Sequence, residues 1–589
     1  MPRFSHISET VLVIEYGQIE YAPGIFDPPA TVWAGAQPGL ASTWLFSSLP
    51  NPEVKNKPAL VFAGKAVGGS STSNGMFFDR GSRFDYDAWA DVGSPEFDSH
   101  HDKWSWKDIF PYFKKSVTFA EPPASVVHKY GYTWDLAAFG GTTPIYSSFP
   151  PFLWGDHSLM RNAWEELGVP VLKECAGGDK AGLCWIPISE HPITARRSHA
   201  GLGHYADVNE TRPNYDLLVR HQVIRVAYPH DLKRGPPMVE VRSLADNRIF
   251  NVTAKAEVIL SAGAFHTPTV LHRSGIGPAS VIREAGIPLV LDLPGVGNNF
   301  QDHSGPSITW NYTTPLNVTD PLPIAMLNAT FAAEALEGFK SIPARGPYTL
   351  SQSNSALYLS LLTMAGANAT KTILHKIRTL ISSGTASSFL PQSYRSDPTM
   401  IAGYEAQLST LARKIYSRCS APSIEVPWAT GTAARLFLLH PLSRGTVRLN
   451  STHPLEQPIL DYRTGSNPID FDIHLAHVRY LRRIFTTPTM ITAQANELAL
   501  GEAIASDDAA LLNYVKDTMT FSFMHPCCTA AMLPLNKGGV VGPDLKVFGA
   551  EGLRVVDMSI LPLLPSSHLS ATAYAVGEKA ADIIIRAWS

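Results

Sequence analysis

The chain has 589 residues, a formal net charge of −3 and a pI near 6.7, which gives no reason to expect nucleic acid or an anionic membrane as a partner. Its 45% hydrophobic and 17% charged residues are typical of a globular protein, and its length predicts two domains. No apolar run in the sequence approaches the roughly 18 residues that a membrane-spanning helix needs.

The first predicted element is a short buried strand, VLVIEYG, over Val11–Gly17, with Glu15 near its end. In dinucleotide-binding folds, a strand that ends in an acidic residue is normally the second strand, and its carboxylate bonds the ribose. Only ten residues precede this strand, and they contain no glycine. The sequence therefore predicts a nucleotide-binding carboxylate without the usual glycine-rich turn before it.

The second feature is a loop of small residues over Gly64–Met76, GKAVGGSSTSNGM. Glycines let backbone N–H groups approach an anion or a flat ring closely, and the hydroxyl groups add further donors. The loop lacks Gly-Lys-Ser/Thr at the spacing of nucleotide triphosphatases, which argues against that class. Taken alone, the loop is either an ordinary surface loop or a ligand-binding loop.

The next predicted elements are a short amphipathic helix over residues 104–117 and strands over Asn214–Tyr228 and Ala256–Phe265. The last strand leads into a helix that is expected to begin at the step Thr267-Pro268. Small backbone groups at the carboxyl end of a strand are typical of ligand sites in open α/β sheets. An ordinary turn between a strand and a helix is the alternative.

Two histidines, His525 and His568, flank a predicted buried strand over Leu553–Ile560, and an amphipathic helix ends the chain. Imidazole is the side chain best suited to proton transfer near neutral pH, so the pair could share such a task. The alternative is that each is an ordinary core or surface histidine. A metal site is not expected, because no third ligand falls into a known pattern with them. The absence of a GxSxG motif also disfavours a hydrolase of that class.

The five cysteines do not indicate a disulfide framework, because their number is odd and two of them are adjacent. Cys175 and Cys184 could close a loop. Cys527 and Cys528 are expected to be small buried hydrophobic residues.

Seven Asn-x-Thr sequons favour a glycosylated, secreted protein. They begin at Asn209, Asn251, Asn311, Asn317, Asn328, Asn368 and Asn450. A cytoplasmic location is the alternative, because Asn and Thr are common in loops.

Five motifs, in order along the chain, resemble those of the glucose–methanol–choline (GMC) family of flavin oxidoreductases. GKAVGGSSTSNGMFFDRGSRFDYDAW resembles the first family signature and GAFHTPTVLHRSGIGP the second, and LPGVGNNFQDH, HPLSRGTVRL and the C-terminal segment from His525 complete the set. The similarity extends from about Val11 to the C-terminus. Within the family, the chain most resembles the fungal branch of aryl-alcohol oxidases and secondary-metabolite dehydrogenases such as patulin synthase.

The resemblance implies an α/β fold with a Rossmann-like FAD-binding domain and a substrate domain that has a mainly antiparallel sheet and helices. The FAD-binding domain is expected to be discontinuous, over residues 1–120, 211–309 and 526–589. Residues 121–210 are expected to be an irregular part of the substrate domain, and residues 310–525 its main part.

The resemblance also implies that a bound FAD accepts hydride from a primary alcohol, aromatic or polyketide-derived, and that oxygen or another acceptor reoxidises it. His525 matches the catalytic base, and His568 matches the second active-site position, which assists the substrate oxygen. The positions that match cofactor-binding residues are Glu15 at the ribose, Val223 at the adenine, Gly69, Ser70, Asn74, Gly75 and Met76 along the flavin and pyrophosphate, and Asp557 and Thr572 near both.

The sequence departs from the family pattern at two points. The family begins with a strand and a GxGxxG turn about 20 residues before the ribose-binding acid. Counted back from Glu15, that turn would fall before Met1, so the sequence predicts that this segment is missing. Ser567 stands where the family often has glycine before the second histidine. Two alternatives therefore remain: a non-redox cyclase on the same fold, similar to versicolorin B synthase, and an inactive fragment that cannot load FAD.

Overall fold

The structure, a computed structural model, describes residues 9–20, 27–29, 42–155, 157–228, 232, 237–313, 328–428, 432–453 and 455–588. Its strands are β1 (Val11–Ile14), β2 (Thr43–Ser47), β3 (Leu60–Gly64), β4 (Thr118–Ala120), β5 (Tyr146–Ser148), β6 (Gly182–Trp185), β7 (Tyr215–Leu218), β8 (His221–Ala227), β9 (Met238–Ser243), β10 (Ile249–Thr253), β11 (Val258–Leu260), β12 (Ile276–Gly277), β13 (Leu291–Asp292), β14 (Ser307–Tyr312), β15 (Ser355–Leu359), β16 (Ile424–Pro427), β17 (Ala433–Arg435), β18 (Phe437–Leu438), β19 (Thr446–Arg448), β20 (Ile459–Asp461), β21 (Ala495–Leu498) and β22 (Leu553–Val555).

The α-helices of the same residues are α1 (Arg83–Gly93), α2 (Trp106–Lys115), α3 (Ala124–Tyr130), α4 (His157–Glu166), α5 (Gly263–Arg273), α6 (Ala279–Glu284), α7 (Ala329–Lys340), α8 (Leu361–Ser382), α9 (Gln392–Arg395), α10 (Pro398–Thr410), α11 (Ile469–Arg482), α12 (Pro488–Thr492), α13 (Glu502–Ser506), α14 (Asp508–Thr518) and α15 (Leu569–Trp588). Among the described helices, none combines the length and the apolar character that crossing a bilayer requires.

The parallel part of the fold joins segments that lie far apart in the sequence. β1 pairs in parallel with β7, and β11 pairs in parallel with β22. The antiparallel sheet β10-β9-β8 follows β7 along the chain. Ala581 and Ile584 of α15 pack against Val11 and Ile259, so the C-terminal helix covers both parallel pairs. The N-terminal, middle and C-terminal segments therefore pack together as layers of helix and sheet.

The remaining sheets are mainly antiparallel. One has the order β18-β16-β15-β6 and another the order β17-β14-β21. β6 lies about 170 residues before β15 in the sequence, and it joins this sheet by pairing with β15 at Ala356 and Leu357. Leu357 and Val426 are fully buried in the core cluster beneath this sheet. The expected fold class, an α/β protein with a mainly antiparallel second sheet, is confirmed, while the domain boundaries stay a prediction.

Local sequence signals explain several of these elements. The predicted strand at Val11 and the predicted helix over residues 104–117 are both present, as β1 and α2. α2 begins after Ser105, whose backbone N–H donates to the Asp108 carboxylate at 3.2 Å. This is half of a capping box, which satisfies a backbone donor that the first helical turn leaves free. Ile109 and Phe113 form the buried face of the helix.

Several predicted boundaries are wrong. The strand expected over Asn214–Tyr228 is two strands, β7 and β8, and the strand expected over Ala256–Phe265 ends at Leu260. The strand expected over Leu553–Ile560 ends at Val555, because the Asp557 carboxylate accepts from the Ser559 N–H at 2.8 Å and turns the chain. The helix expected from Thr267-Pro268 begins at Gly263 instead. Pro268 has no N–H for the Ala264 carbonyl, but the Thr529 hydroxyl donates to that carbonyl at 2.7 Å and satisfies it.

The cysteines pair more extensively than expected. Cys175 and Cys184 form a disulfide with an S–S distance of 1.96 Å, which closes the loop that the sequence allowed. Cys527 and Cys528 are buried as expected, but the structure joins their sulfur atoms rather than leaving two separate thiols.

Candidate active site

The structure brings the two C-terminal histidines together. Their ring centroids lie 4.6 Å apart, and the rings are nearly perpendicular, at 81°. His525 lies in the segment between α14 and β22, and its neighbour Cys527 bridges to Gln301. His568 immediately precedes α15. Two distant segments therefore present their imidazoles to one small volume.

A third histidine, His303, fixes the protonation of His525. The Nδ1 atoms of His303 and His525 lie 2.8 Å apart, and His303 Nε2 lies 3.2 Å from the Leu439 carbonyl oxygen. A carbonyl can only accept, so Nε2 of His303 carries its proton and Nδ1 is its acceptor. His525 must then donate from Nδ1, which leaves its Nε2 as an unprotonated base. Sequence reasoning missed this residue, although it lies in the LPGVGNNFQDH motif.

Asp302 holds the segment that carries His525. Its carboxylate accepts from the His525 backbone N–H at 3.1 Å, from the Ser522 hydroxyl at 2.6 Å and from the Tyr462 hydroxyl at 3.2 Å. Burial raises the pKa of Asp302 to about 7. A carboxyl group with these three donors joins Ser522, the backbone of His525 and Tyr462 at one point, which holds the segment that carries the base in place.

Two carboxylates contact His568 on its Nδ1 side. Asp79 Oδ1 lies 3.2 Å and Glu425 Oε1 lies 3.4 Å from Nδ1. The ammonium of Lys180 lies 2.5 Å from the other oxygen of Asp79. These carboxylates come from positions too distant to form a sequence pattern with the histidines, so the sequence does not indicate that they lie beside His568. We assign no metal to this cluster, since Lys180 supplies a cation within it.

The charges of the two histidines are driven in opposite directions. Burial, with the charge of His568, holds the pKa of His525 well below its usual value, so His525 is neutral. Burial also opposes a charge on His568, but the carboxylates of Glu425 and Asp79 outweigh it and raise the pKa of His568. The site thus places a base whose charged form is disfavoured beside a donor whose charged form is favoured, a separation of roles typical of acid–base catalysis.

Aromatic rings surround the histidine pair. Phe77 lies 4.4 Å from the ring of His568, centroid to centroid. Phe437 stacks on Phe523 at 3.5 Å and lies 6.3 Å from His525 and 6.1 Å from His568. These rings give the surroundings of the histidines a flat, apolar character, which suits a planar ligand with one polar group.

The loop that is expected to border the cofactor has the conformation such a site requires. Gly68 and Gly69 have φ values of +105° and +55°, in the region that glycine adopts without strain. Within the described part of the chain, a Cβ on Gly69 would meet nothing within 4 Å, so no described residue covers the backbone there. The Ser70 hydroxyl accepts from the Gly64 N–H at 3.0 Å. Asn74 accepts from the Met76 N–H at 3.0 Å and from the Arg197 guanidinium at 2.8 Å.

The structure gives local contacts for three further residues that are expected at the cofactor. Glu15 directly follows β1 and accepts from the Gly17 N–H at 2.7 Å, and burial raises its pKa. Val223 lies on β8, where its carbonyl accepts from Arg273 at 3.2 Å. Gly75 faces Gln352, whose Oε1 would lie 3.4 Å from an added Cβ.

Asp557 and Thr572 make contacts within the protein. Asp557 accepts from the Gly263 N–H at 2.8 Å, at the start of α5. The Thr572 hydroxyl is fully buried and lies 3.1 Å from the Tyr86 hydroxyl, so its side chain does not face a ligand directly. Thr572 is close to the expected site only through its helix, since Ser570 in the same turn lies 3.4 Å from Asn74.

The residues present fit an FAD. Glu15 would hold the adenosine ribose, the open glycine backbone at Gly69 would border the pyrophosphate, and the loop to Met76 leads towards the histidine pair. A Cβ on Gly263 (φ +80°), at the N-terminus of α5, would likewise meet none of the described residues within 4 Å. Open backbone at a helix N-terminus is suited to a phosphate.

Comparisons with known proteins agree with this arrangement. Sequence profiles of GMC oxidoreductases match residues 25–305 and 441–577. A dehydrogenase of Emericella nidulans, xptC, is 31% identical over 582 residues, which cover 98% of this chain and 89% of that protein. An oxygen-dependent choline dehydrogenase of Brucella anthropi is 29% identical over 590 residues, which cover 98% of this chain and 91% of that protein.

Two solved structures are similar over nearly the whole chain. A fungal aryl-alcohol oxidase has a TM-score of 0.95 and 60% identity, covering 99% of this chain and 95% of its own. An FAD-dependent oxidoreductase from Chaetomium thermophilum has a TM-score of 0.88 and 35% identity, covering 98% and 95%. The expected family and cofactor are thereby confirmed: the chain belongs to the GMC oxidoreductases and is an FAD-dependent enzyme that oxidises alcohols.

Proposed function

We propose that the enzyme oxidises a primary aromatic alcohol to its aldehyde. The observation that carries this proposal is the set of aromatic rings, Phe77, Phe437 and Phe523, beside the two histidines. A flat ring can stack on these side chains while its hydroxymethyl group reaches the imidazoles. The 60% identity with a fungal aryl-alcohol oxidase supports the same substrate class. A polyketide-derived aromatic alcohol of secondary metabolism has the same shape and belongs to this class.

In the proposed mechanism, the alcohol loses one hydrogen as hydride to the cofactor and another as a proton to a histidine. FAD, when bound, accepts the hydride that leaves the alcohol carbon. The unprotonated Nε2 of His525 takes the hydroxyl proton, so that the carbon–oxygen bond becomes a carbonyl as proton and hydride depart. His568 donates a hydrogen bond to the same oxygen and stabilises the negative charge that develops on it. His303 and Asp302 act only through His525, as positioning residues.

The substrate class is tested with a pair of alcohols of nearly equal size. Benzyl alcohol is planar, whereas cyclohexylmethanol carries the same carbon skeleton in a puckered ring. We expect a higher kcat/KM for benzyl alcohol, and Phe437→Leu should reduce the ratio of the two values by about 2- to 10-fold, the strength of one aromatic contact. Phe250→Leu is the matched control, since Phe250 is 38% exposed on β10. Equal kcat/KM values in the unaltered enzyme would contradict an aromatic substrate.

We also propose that the protein passes through the secretory route and is glycosylated. Asn317 lies outside the described residues; of the other six sequon asparagines, Asn251, Asn311, Asn328 and Asn368 are exposed and none is buried. An exposed asparagine is what the glycosylating enzyme requires.

The prediction is that protein secreted from a eukaryotic host loses mass on treatment with peptide N-glycosidase. Replacing Asn251 and Asn368 by Gln should reduce that loss by about two glycans, whereas Asn513→Gln, at an exposed position on α14 that is in no sequon, should not alter it. Secreted protein whose mass equals that of the unmodified chain would contradict the proposal.

A further inference from the structure

Glu425 is a buried carboxylate that the proposed mechanism does not use. It lies on β16 and is fully buried, and within the described residues no hydrogen bond of ordinary geometry reaches its carboxylate oxygens, although the Tyr358 hydroxyl is close enough to interact with them. Its closest ionic contact in that part of the chain is His568 Nδ1, at 3.4 Å. A buried carboxylate costs several kcal/mol unless a cation or hydrogen-bond donors compensate it. Burial raises the pKa of Glu425 to about 7 and the charge of His568 acts against this rise, so the ionised form of Glu425 depends on the counter-charge that His568 is in position to supply.

The neighbouring Asp79 already has its own cation. Lys180 lies 2.5 Å from the Asp79 carboxylate and donates to the Ser566 carbonyl at 2.7 Å, with its side chain 1% exposed. The Tyr358 hydroxyl also donates to Asp79, at 3.0 Å. The disulfide between Cys175 and Cys184 closes the loop that carries Lys180. This loop thus pairs the ammonium of Lys180 with the carboxylate of Asp79. The charge of the Glu425 carboxylate is then left for the His568 imidazole to compensate.

Several titratable groups face His568 from the elements packed against it. They are Asp79, Glu425, Lys180, His525, His303 and Tyr358. His525 and His303 hydrogen-bond to each other and are both held neutral by burial. Burial likewise raises the pKa of Tyr358 well above its usual value, so its hydroxyl is neutral. In this set, the negative charges of Asp79 and Glu425 are balanced when Lys180 and His568 are both positively charged.

We propose that Glu425 is a positioning residue that keeps His568 as an imidazolium, with its Nδ1 side held by carboxylates and its Nε2 side turned to the substrate. The inference rests on the proposed function, because it gives His568 the charge with which it stabilises the alcohol oxygen. It also has a consequence that does not depend on turnover. A cation beside aromatic rings binds a small aromatic anion, and the site should bind benzoate only while His568 is charged.

The test is the pH dependence of benzoate binding to the FAD-loaded enzyme, followed by the change in the flavin absorption spectrum. In the unaltered enzyme, affinity should fall as pH rises through the titration of His568. In Glu425→Gln the midpoint of that fall should move to lower pH by about one to three units, because an opposite charge within 4–6 Å contributes that much. At a pH above both midpoints this corresponds to benzoate binding that is about 10- to 1000-fold weaker in Glu425→Gln. In Glu425→Asp, which retains the charge, the midpoint should stay close to that of the unaltered enzyme and fall by only a small amount.

The sign of the change separates this role from a structural one. If Glu425 did not control His568, removing a negative charge from the site would leave benzoate affinity unchanged or strengthen it. An unmoved midpoint in Glu425→Gln would therefore overturn the proposal. Glu190→Gln is the matched control, because Glu190 is also buried but hydrogen-bonds Ser148 and forms no ion pair among the described residues. Its midpoint should stay in place.

The proposed function can fail independently. An unaltered enzyme that binds benzoate with the predicted pH dependence but does not oxidise benzyl alcohol would overturn the proposed substrate class and leave the role of Glu425 intact. If Glu425→Gln does not retain FAD, Glu425→Asp carries the test alone: its shorter side chain should lower the midpoint by a smaller amount, and no change would count against the proposal.

Discussion

The His525→Ala enzyme, loaded with FAD, is expected to oxidise benzyl alcohol about 10²- to 10⁴-fold more slowly than the unaltered enzyme, the usual contribution of a positioned general base. The physical reason is the hydrogen bond of 2.8 Å in which His525 donates its Nδ1 proton to His303. This bond leaves the unprotonated Nε2 of His525 free to accept the hydroxyl proton. Without that acceptor, the alcohol must lose its proton to water in a buried site.

Flavin content should be unchanged by this substitution, because His525 has no role in holding the cofactor in our account. His375→Ala is the control: His375 is an exposed histidine on α8, and its removal should leave turnover intact. The measurement is kcat together with the rate of flavin reduction. A His525→Ala enzyme that retains more than about a tenth of the turnover, with full flavin content, would exclude His525 as the base.

The Lys180→Met enzyme is expected to be much less stable to unfolding than the unaltered enzyme, which is the second large effect. The side chains of Lys180 and Asp79 are 1% and 4% exposed and form a contact of 2.5 Å. Breaking a buried pair on one side leaves an uncompensated charge and costs about 3–5 kcal/mol of unfolding free energy. The measurement is the denaturant midpoint of the FAD-loaded enzyme at neutral pH, which should fall accordingly.

Two further variants test the cause of this loss. Lys173→Met removes an ammonium that is 72% exposed and lies 3.6 Å from Asp135, and it should cost no more than about 1 kcal/mol. The double variant Lys180→Met/Asp79→Asn should recover part of the stability, because no isolated carboxylate remains beside the lost cation. Equal losses for the two lysine variants would show that burial of the Lys180–Asp79 pair does not matter.

The sequence predicts those elements whose signals are local. β1 is recognisable from a run of apolar residues, and α2 from its serine cap and the spacing of Ile109 and Phe113. The pair His525 and His568 was predictable from flanking motifs and from the family resemblance. An apolar run, however, cannot show where a strand ends: Asp557 ends β22 by capping a turn, and that depends on its side-chain contacts.

The groups that determine the charges of the site could not be predicted in the same way. Asp79, Lys180 and Glu425 come from three segments more than 100 residues apart, and no spacing relates them. Their convergence follows from the pairing of β15 with β6 and β16, which brings the disulfide-closed loop and Glu425 to one side of the sheet. His303 was within a recognised motif, but only its contact with the Leu439 carbonyl reveals which nitrogen carries the proton.

The central claim is that the histidine pair removes a proton while the cofactor takes a hydride from an alcohol. It is tested most directly by mixing the FAD-loaded enzyme with benzyl alcohol in the absence of oxygen and recording the visible spectrum. We predict that the flavin bands bleach and that one equivalent of benzaldehyde forms per flavin. A cyclase that uses FAD only as a structural group, or a chain that does not load FAD, would give no bleaching. Unchanged flavin bands and no benzaldehyde at saturating alcohol would contradict the account.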